Sequence, residues 1–124
     1  MTKRQKKIMV IDDNPDILLA LQGMLEDAGY IVEVSEQIQN ILLATRDTFD
    51  LPDVLLLDML LSEQNGQKIA KNLKDQDSTK HIPIILFSAY PNAEDDARRA
   101  GANDFIAKPF DIDVLLAKIE QYTS

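Results

Sequence analysis

Apolar and polar positions along this chain follow two different periods. Unbroken apolar runs stand at residues 8–11, 54–57, 83–87 and 105–107. Between them, apolar residues recur every three or four positions: Leu18, Leu21, Leu25 and Ala28; Ile38, Ile41 and Leu42, with Thr45 extending the pattern; Ile69, Ala70 and Leu73; and Val114, Leu115, Ala117 and Ile119. Continuous runs predict strands buried on both faces of a parallel sheet. The longer period predicts amphipathic helices. Residues 31–34 form a fifth strand, more polar and so nearer an edge. Asn14–Pro15 opens the first helix, since asparagine can cap and proline suits the first turn. Gly29 ends it. A loop runs from Leu60 to Gly66, a polar helix covers Asn92 to Ala100 and stops at Gly101, and Asp111 caps the last helix. Five strands alternating with five helices predict a doubly wound α/β fold with right-handed crossovers.

At 124 residues the chain is expected to be one domain, residues 1–124, with residues 1–7 as a flexible basic tail. The formal charge of −8 argues against direct nucleic-acid binding, which needs a basic footprint. Lys3, Arg4, Lys6 and Lys7 are a local exception, read as a solvated stretch. They do not open a signal peptide, because the apolar run that follows meets two aspartates after four residues. No segment approaches membrane-spanning length. Zero cysteines exclude disulfides, thiolate metal sites and a cysteine nucleophile, and suit a cytoplasmic protein.

The chemistry lies where the strands stop. Residues 8–11 end in Asp12–Asp13, 54–57 in Asp58, 83–87 in Ser88, and 105–107 in Lys108–Pro109. Ligands of doubly wound sheets bind at the carboxyl ends of the strands, so these side chains are expected to share one cleft. Crowded carboxylates resist mutual ionisation unless a cation joins them. Mg²⁺ fits, being content with one or two carboxylates, waters and a phosphate oxygen. Asp58 is the candidate nucleophile for an acyl phosphate, with Lys108 and Ser88 neutralising phosphoryl oxygens. Taken singly, Asp12–Asp13 would be a loop start serving the helix dipole, Ser88 an ordinary strand-end hydroxyl and Lys108 a surface lysine. Their coincidence at four strand ends carries the reading.

The chain resembles the receiver domains of bacterial two-component response regulators. The matching stretches are residues 11–14, 52–58, Asn65–Gly66, 82–89 and 101–110, which span nearly its whole length. The resemblance implies a flavodoxin-like sheet in the order 2-1-3-4-5. It also implies a Mg²⁺ site of Asp12, Asp13, Asp58 and the Leu60 backbone carbonyl. Asp58 would accept phosphate from a histidine kinase or phosphotransfer protein, Ser88 and Lys108 would bind the phosphoryl group, and Ser88 with Phe105 would form the switch. A cis Lys108–Pro109 bond is inherited from the same source. Three positions depart from the family's habit: Ser62 stands in place of a proline, Ser88 in place of threonine, and Phe105 in place of tyrosine. None removes a ligand, but the switch becomes purely steric.

The expected role is therefore a phosphorelay switch that catalyses only its own phosphorylation and dephosphorylation. No DNA-binding or catalytic output domain is expected after Ser124, so output is expected through a protein contact on the 92–124 face, or through a longer parent. Phosphorylation-dependent homodimerisation fits as well. By the same resemblance, Leu60 and Tyr90 flank the water's approach to phosphorus, which predicts slow hydrolysis. A haloacid-dehalogenase-like phosphatase would carry an acid where Leu60 stands. A flavin or mononucleotide binder would need a glycine-rich loop after the first strand, where Asp12–Asp13 would repel phosphate. His81 reads as a solvent-facing loop residue.

Overall fold

A computed structural model of the chain describes residues 5–36, 51–59, 65–90 and 93–123. Five strands alternate with helices: β1 Lys7–Ile11, α1 Pro15–Asp27, β2 Ile31–Ser35, β3 Val54–Asp58, α2 Gly66–Lys74, β4 Ile84–Ser88, α3 Ala93–Arg99, β5 Asp104–Ala107 and α4 Ile112–Thr123. The helix expected around Ile38, Ile41, Leu42 and Thr45 lies outside the described residues. All strands are parallel, in the order β2-β1-β3-β4-β5.

Both faces of the sheet are covered, which is why β3 and β4 are buried at every position. On one face Met9, Ile11, Leu55, Leu57, Ile84 and Leu86 meet α2 and α3. On the other, Ile8, Val10, Leu56, Ile85, Phe87 and Ile106 meet α1 and α4. Successive side chains of a strand point to opposite faces, so each run serves both cores. Edge strand β2 mixes exposed and half-buried residues.

The punctuation works as polar chemistry predicts. The Asn14 side chain accepts from the backbone N–H of Asp16 at 2.9 Å and of Ile17 at 3.4 Å. Asn65 accepts from Gln67 N–H, and Asp111 from Asp113 N–H, both at 2.8 Å. Gly29 and Gly101 adopt positive φ, 99° and 89°, beyond the ends of α1 and α3.

Three expectations need correction. Lys7 is the first residue of β1, its side chain paired with Glu33 at 2.7 Å, so it does not belong to a free tail. Ala28 caps α1 in an exposed position. In α4, Val114 and Ala117 face outward. The buried stripe there is Leu115 and Ile119, flanked by half-buried Ile112, Leu116 and Tyr122. Those positions fit the 3.6-residue period better, and Val114 and Ala117 fall off its axis.

Candidate functional site

Strand register assembles the site. Ile11 pairs with Leu57, so Asp12 and Asp58 emerge level with one another from adjacent strands. Asp58 pairs with Phe87, and Ser88 with Ala107, so each further strand delivers its polar residue one step higher. Lys108 therefore starts above the carboxylates, and its four-carbon stem reaches back to them. Its Nζ donates to Asp12 Oδ2 at 3.0 Å and to Asp58 Oδ2 at 3.3 Å.

This ion-paired group is largely withdrawn from water. Asp12 is 1% and Asp58 7% exposed. The other Asp12 oxygen, Oδ1, accepts from Asn14 N–H at 2.8 Å, which ties the carboxylate to the start of α1. Such partners offset the cost of burying a carboxylate. Ser88 is also buried, and its Oγ accepts from Tyr90 N–H at 3.0 Å. Strand pairing sets the height of Lys108, whose N–H donates to Ser88 O at 2.8 Å. The Lys108–Pro109 bond is cis.

Asp12, Asp58 and Lys108 thus meet in one ion-paired group, and Ser88 stands at the end of the neighbouring strand β4. Asp13 follows at the rim, half-buried, while Leu60 lies outside the described residues. Among the described residues, no set of three acidic or imidazole side chains is disposed to hold a metal ion. Two carboxylates converge on the lysine instead. Phe105 is half-buried beside the α2–α3 core, next to Leu86 in register. Tyr90 is 59% exposed and lines a groove of about 240 Å³ with Met59, Asn65, Gln67, Ser88 and Asp96. His81 is exposed before β4, away from the strand ends.

Gly66 permits the close approach of α2. A Cβ there would overlap the Asp58 carbonyl oxygen and stand 2.8 Å from Met59 Cα. Its N–H donates to Met59 O at 3.0 Å.

At the start of β5, Lys118 Nζ donates to Asp104 Oδ1 at 2.9 Å, and Tyr122 Oη to Asn103 O at 2.8 Å. Burial alone would push the Asp104 carboxyl up. The hydrogen bonds from Lys118, Phe105 N–H and Tyr122 outweigh it and hold the group below the ordinary aspartate value. Burial, then the Asp104 charge, pushes the Tyr122 phenol up.

One neighbour of the site escaped the sequence reading. Phe87 precedes Ser88 and reads simply as core, yet the Lys108 ammonium lies 4.7 Å from its ring centroid. No periodicity could have shown a contact between two strands.

A parallel sheet whose central carboxyl ends present a buried carboxylate pair, a lysine and a hydroxyl defines a doubly wound α/β domain with its candidate site at the strand ends. The response regulator receiver domain family model matches residues 8–120, and the chain belongs to that family, the receiver domains of two-component signalling. An uncharacterised 14.6 kDa protein of Leptolyngbya boryana is 35% identical, covering 98% of this chain and 92% of that protein. Response regulator PleD of Caulobacter vibrioides is 32% identical over 94% of this chain, which spans only 26% of PleD. The receiver domain of sensor histidine kinase PA1611 from Pseudomonas aeruginosa superposes with a TM-score of 0.83 at 26% identity, covering 96% of this chain and 98% of that one. That structure holds a magnesium ion in its active-site cleft.

Proposed function

We propose that this receiver accepts a phosphoryl group on Asp58 from a histidine kinase or phosphotransfer protein. An Asp58 oxygen bonds to phosphorus as the bond from phosphorus to the donor imidazole nitrogen breaks, its electron pair leaving with the imidazole. The observation that carries this reading is the approach of Asp12 and Asp58 to one ammonium: two buried carboxylates already share a cation.

Mg²⁺ takes oxygen ligands, keeps several waters and is content with one or two carboxylates, and Asp12 and Asp58 already bring two together at Lys108. Asp12, Asp13, Asp58 and the Leu60 carbonyl would hold it. When bound, it would neutralise charge on the phosphoryl oxygens as the donor leaves. Lys108 then turns a donor from carboxylate to phosphoryl oxygen. Ser88 donates a hydrogen bond from its hydroxyl to another oxygen; in the resting structure its Oγ accepts from Tyr90 N–H.

Ser88 and Phe105 make the switch. Drawing the Ser88 hydroxyl toward phosphorus frees space that the Phe105 ring can enter. The exposed face of α3, β5 and α4 then changes, and a downstream protein or a second copy reads it. The change is a population shift between two surfaces. The domain catalyses no reaction other than its own phosphorylation and dephosphorylation. No helix among the described residues is long and apolar enough to cross a membrane, and the proposed compartment is the cytoplasm. Incubation with acetyl phosphate and Mg²⁺ should add one phosphoryl group at Asp58. Equal labelling of Asp58→Asn, or labelling undiminished by chelator, would refute the assignment.

A further inference from the structure

We propose that Phe87 is a positioning residue for phosphoryl transfer, its ring face holding the Lys108 ammonium over the acceptor site. The inference rests on the reading that Lys108 binds the phosphoryl group.

The geometry points to a cation–π contact. Nζ stands 4.7 Å from the Phe87 centroid, inside the roughly 6 Å range in which a ring's negative face attracts a cation. The ring cannot turn freely. Phe87 is 2% exposed within the α1–α4 core, and Phe110 packs edge-on against it, centroids 6.3 Å apart and planes at 77°. Lys108 and Phe110 flank Pro109, so one short segment supplies both the cation and the brace for the ring beneath it.

What the ring adds differs from what the carboxylates add. Asp12 and Asp58 are the reaction's own groups, and their bonds to Nζ are given up as Asp58 takes the phosphoryl group. A lysine ammonium on its flexible stem is strongly hydrated and would then swing toward water. The Lys108 side chain is 18% exposed, so that route is open. The ring accepts no proton and competes for no donor. It can keep the ammonium in place while the N–H groups change partners. Leucine, isoleucine or methionine before Ser88 would be apolar as well but would offer no ring face to the ammonium.

The test replaces Phe87 by phenylalanines of increasing ring fluorination, which drains the ring face while leaving its size nearly unchanged. The phosphorylation rate with phosphoramidate should fall with each fluorine, by about three- to ten-fold across the series. In a Lys108→Met background the series should be flat, because the ring acts through the ammonium. In metal-free protein, the Lys108 ε-methylene protons should resonate upfield of ordinary lysines and lose order as fluorine is added. A flat series with Lys108 present, or the same slope without it, would overturn the proposal and leave Phe87 as packing. If Lys108→Met itself phosphorylates at the wild-type rate, the underlying reading of Lys108 fails. The ε-methylene signals then decide the contact alone, and ordinary, disordered ones would overturn it too.

Discussion

Gly66→Ala should damage the site from behind. The added methyl would overlap the Asp58 carbonyl oxygen, and it would lie 2.8 Å from Met59 Cα and 3.0 Å from the Asp58 carbonyl carbon. All three are backbone atoms of the strand end that carries the acceptor, so no flexible side chain can yield. Ordinary van der Waals contact begins near 3.4 Å, so α2 and the end of β3 must separate by roughly half an ångström or more. Overpacking of this kind costs about 1–3 kcal/mol. Because a misplacement of about 1 Å can cost on the order of 10²-fold in rate, a roughly ten-fold slower phosphorylation is expected. Urea unfolding followed by circular dichroism gives the first quantity, and initial rates with acetyl phosphate give the second. Gly23→Ala provides the control, since nothing lies within 4 Å of the place its new methyl would occupy on α1. There the same substitution should stabilise by about 0.5–1 kcal/mol through helix propensity. Equal urea midpoints for the two variants, with wild-type phosphorylation in both, would refute the reasoning.

Ser88→Ala should still accept phosphate yet show little change in amide shifts on the α3–β5–α4 face; a wild-type response would break the proposed coupling to Phe105. Leu60→Asn with Tyr90→Ala should speed loss of phosphate while leaving the Mg²⁺ requirement intact, and unchanged or slower decay would show that these residues do not gate water. The Asp104 carboxyl, held below the ordinary aspartate value in the fold, should contribute stability that is present above its unfolded value and lost as pH falls through the lower folded value. Acid titrations of wild type and Asp104→Asn should therefore converge in stability toward the acid end, and a constant difference down to about pH 2 would contradict the depressed value.

The strand ends were legible because both-face burial writes itself as unbroken apolar sequence, and the polar residue that breaks each run must stand at the sheet's rim. Asp12, Asp58, Ser88 and Lys108 could thus be gathered from the sequence alone. The strand order was not legible in that way, since periodicity marks elements and carries no information about which neighbours pair; it came from family resemblance. Val114 and Ala117 were misplaced because one apolar residue on a short helix shifts the apparent stripe by a full side of the cylinder. The partners of Lys108 were only half visible. Its carboxylates announce themselves as charges, whereas the Phe87 ring looks like any other buried hydrocarbon until the register of β4 and β5 brings the two together.

The common direction of the five strands also leaves the molecule with a quiet end. Lys7, Ile31, Val54, Ile84 and Asp104 open their strands on the side opposite Asp12, Asp58 and Ser88. There Lys7 N–H donates to Asp53 Oδ2, and Ile84 N–H to Asn103 Oδ1, at 2.8 and 3.0 Å. The approaches to that end pass through exposed Gly29, His81 and Gly101. A fluorophore, affinity handle or surface tether attached at His81 would leave the reactive rim untouched. The receiver can thus be immobilised with the Asp12–Asp58–Lys108 end facing the solution.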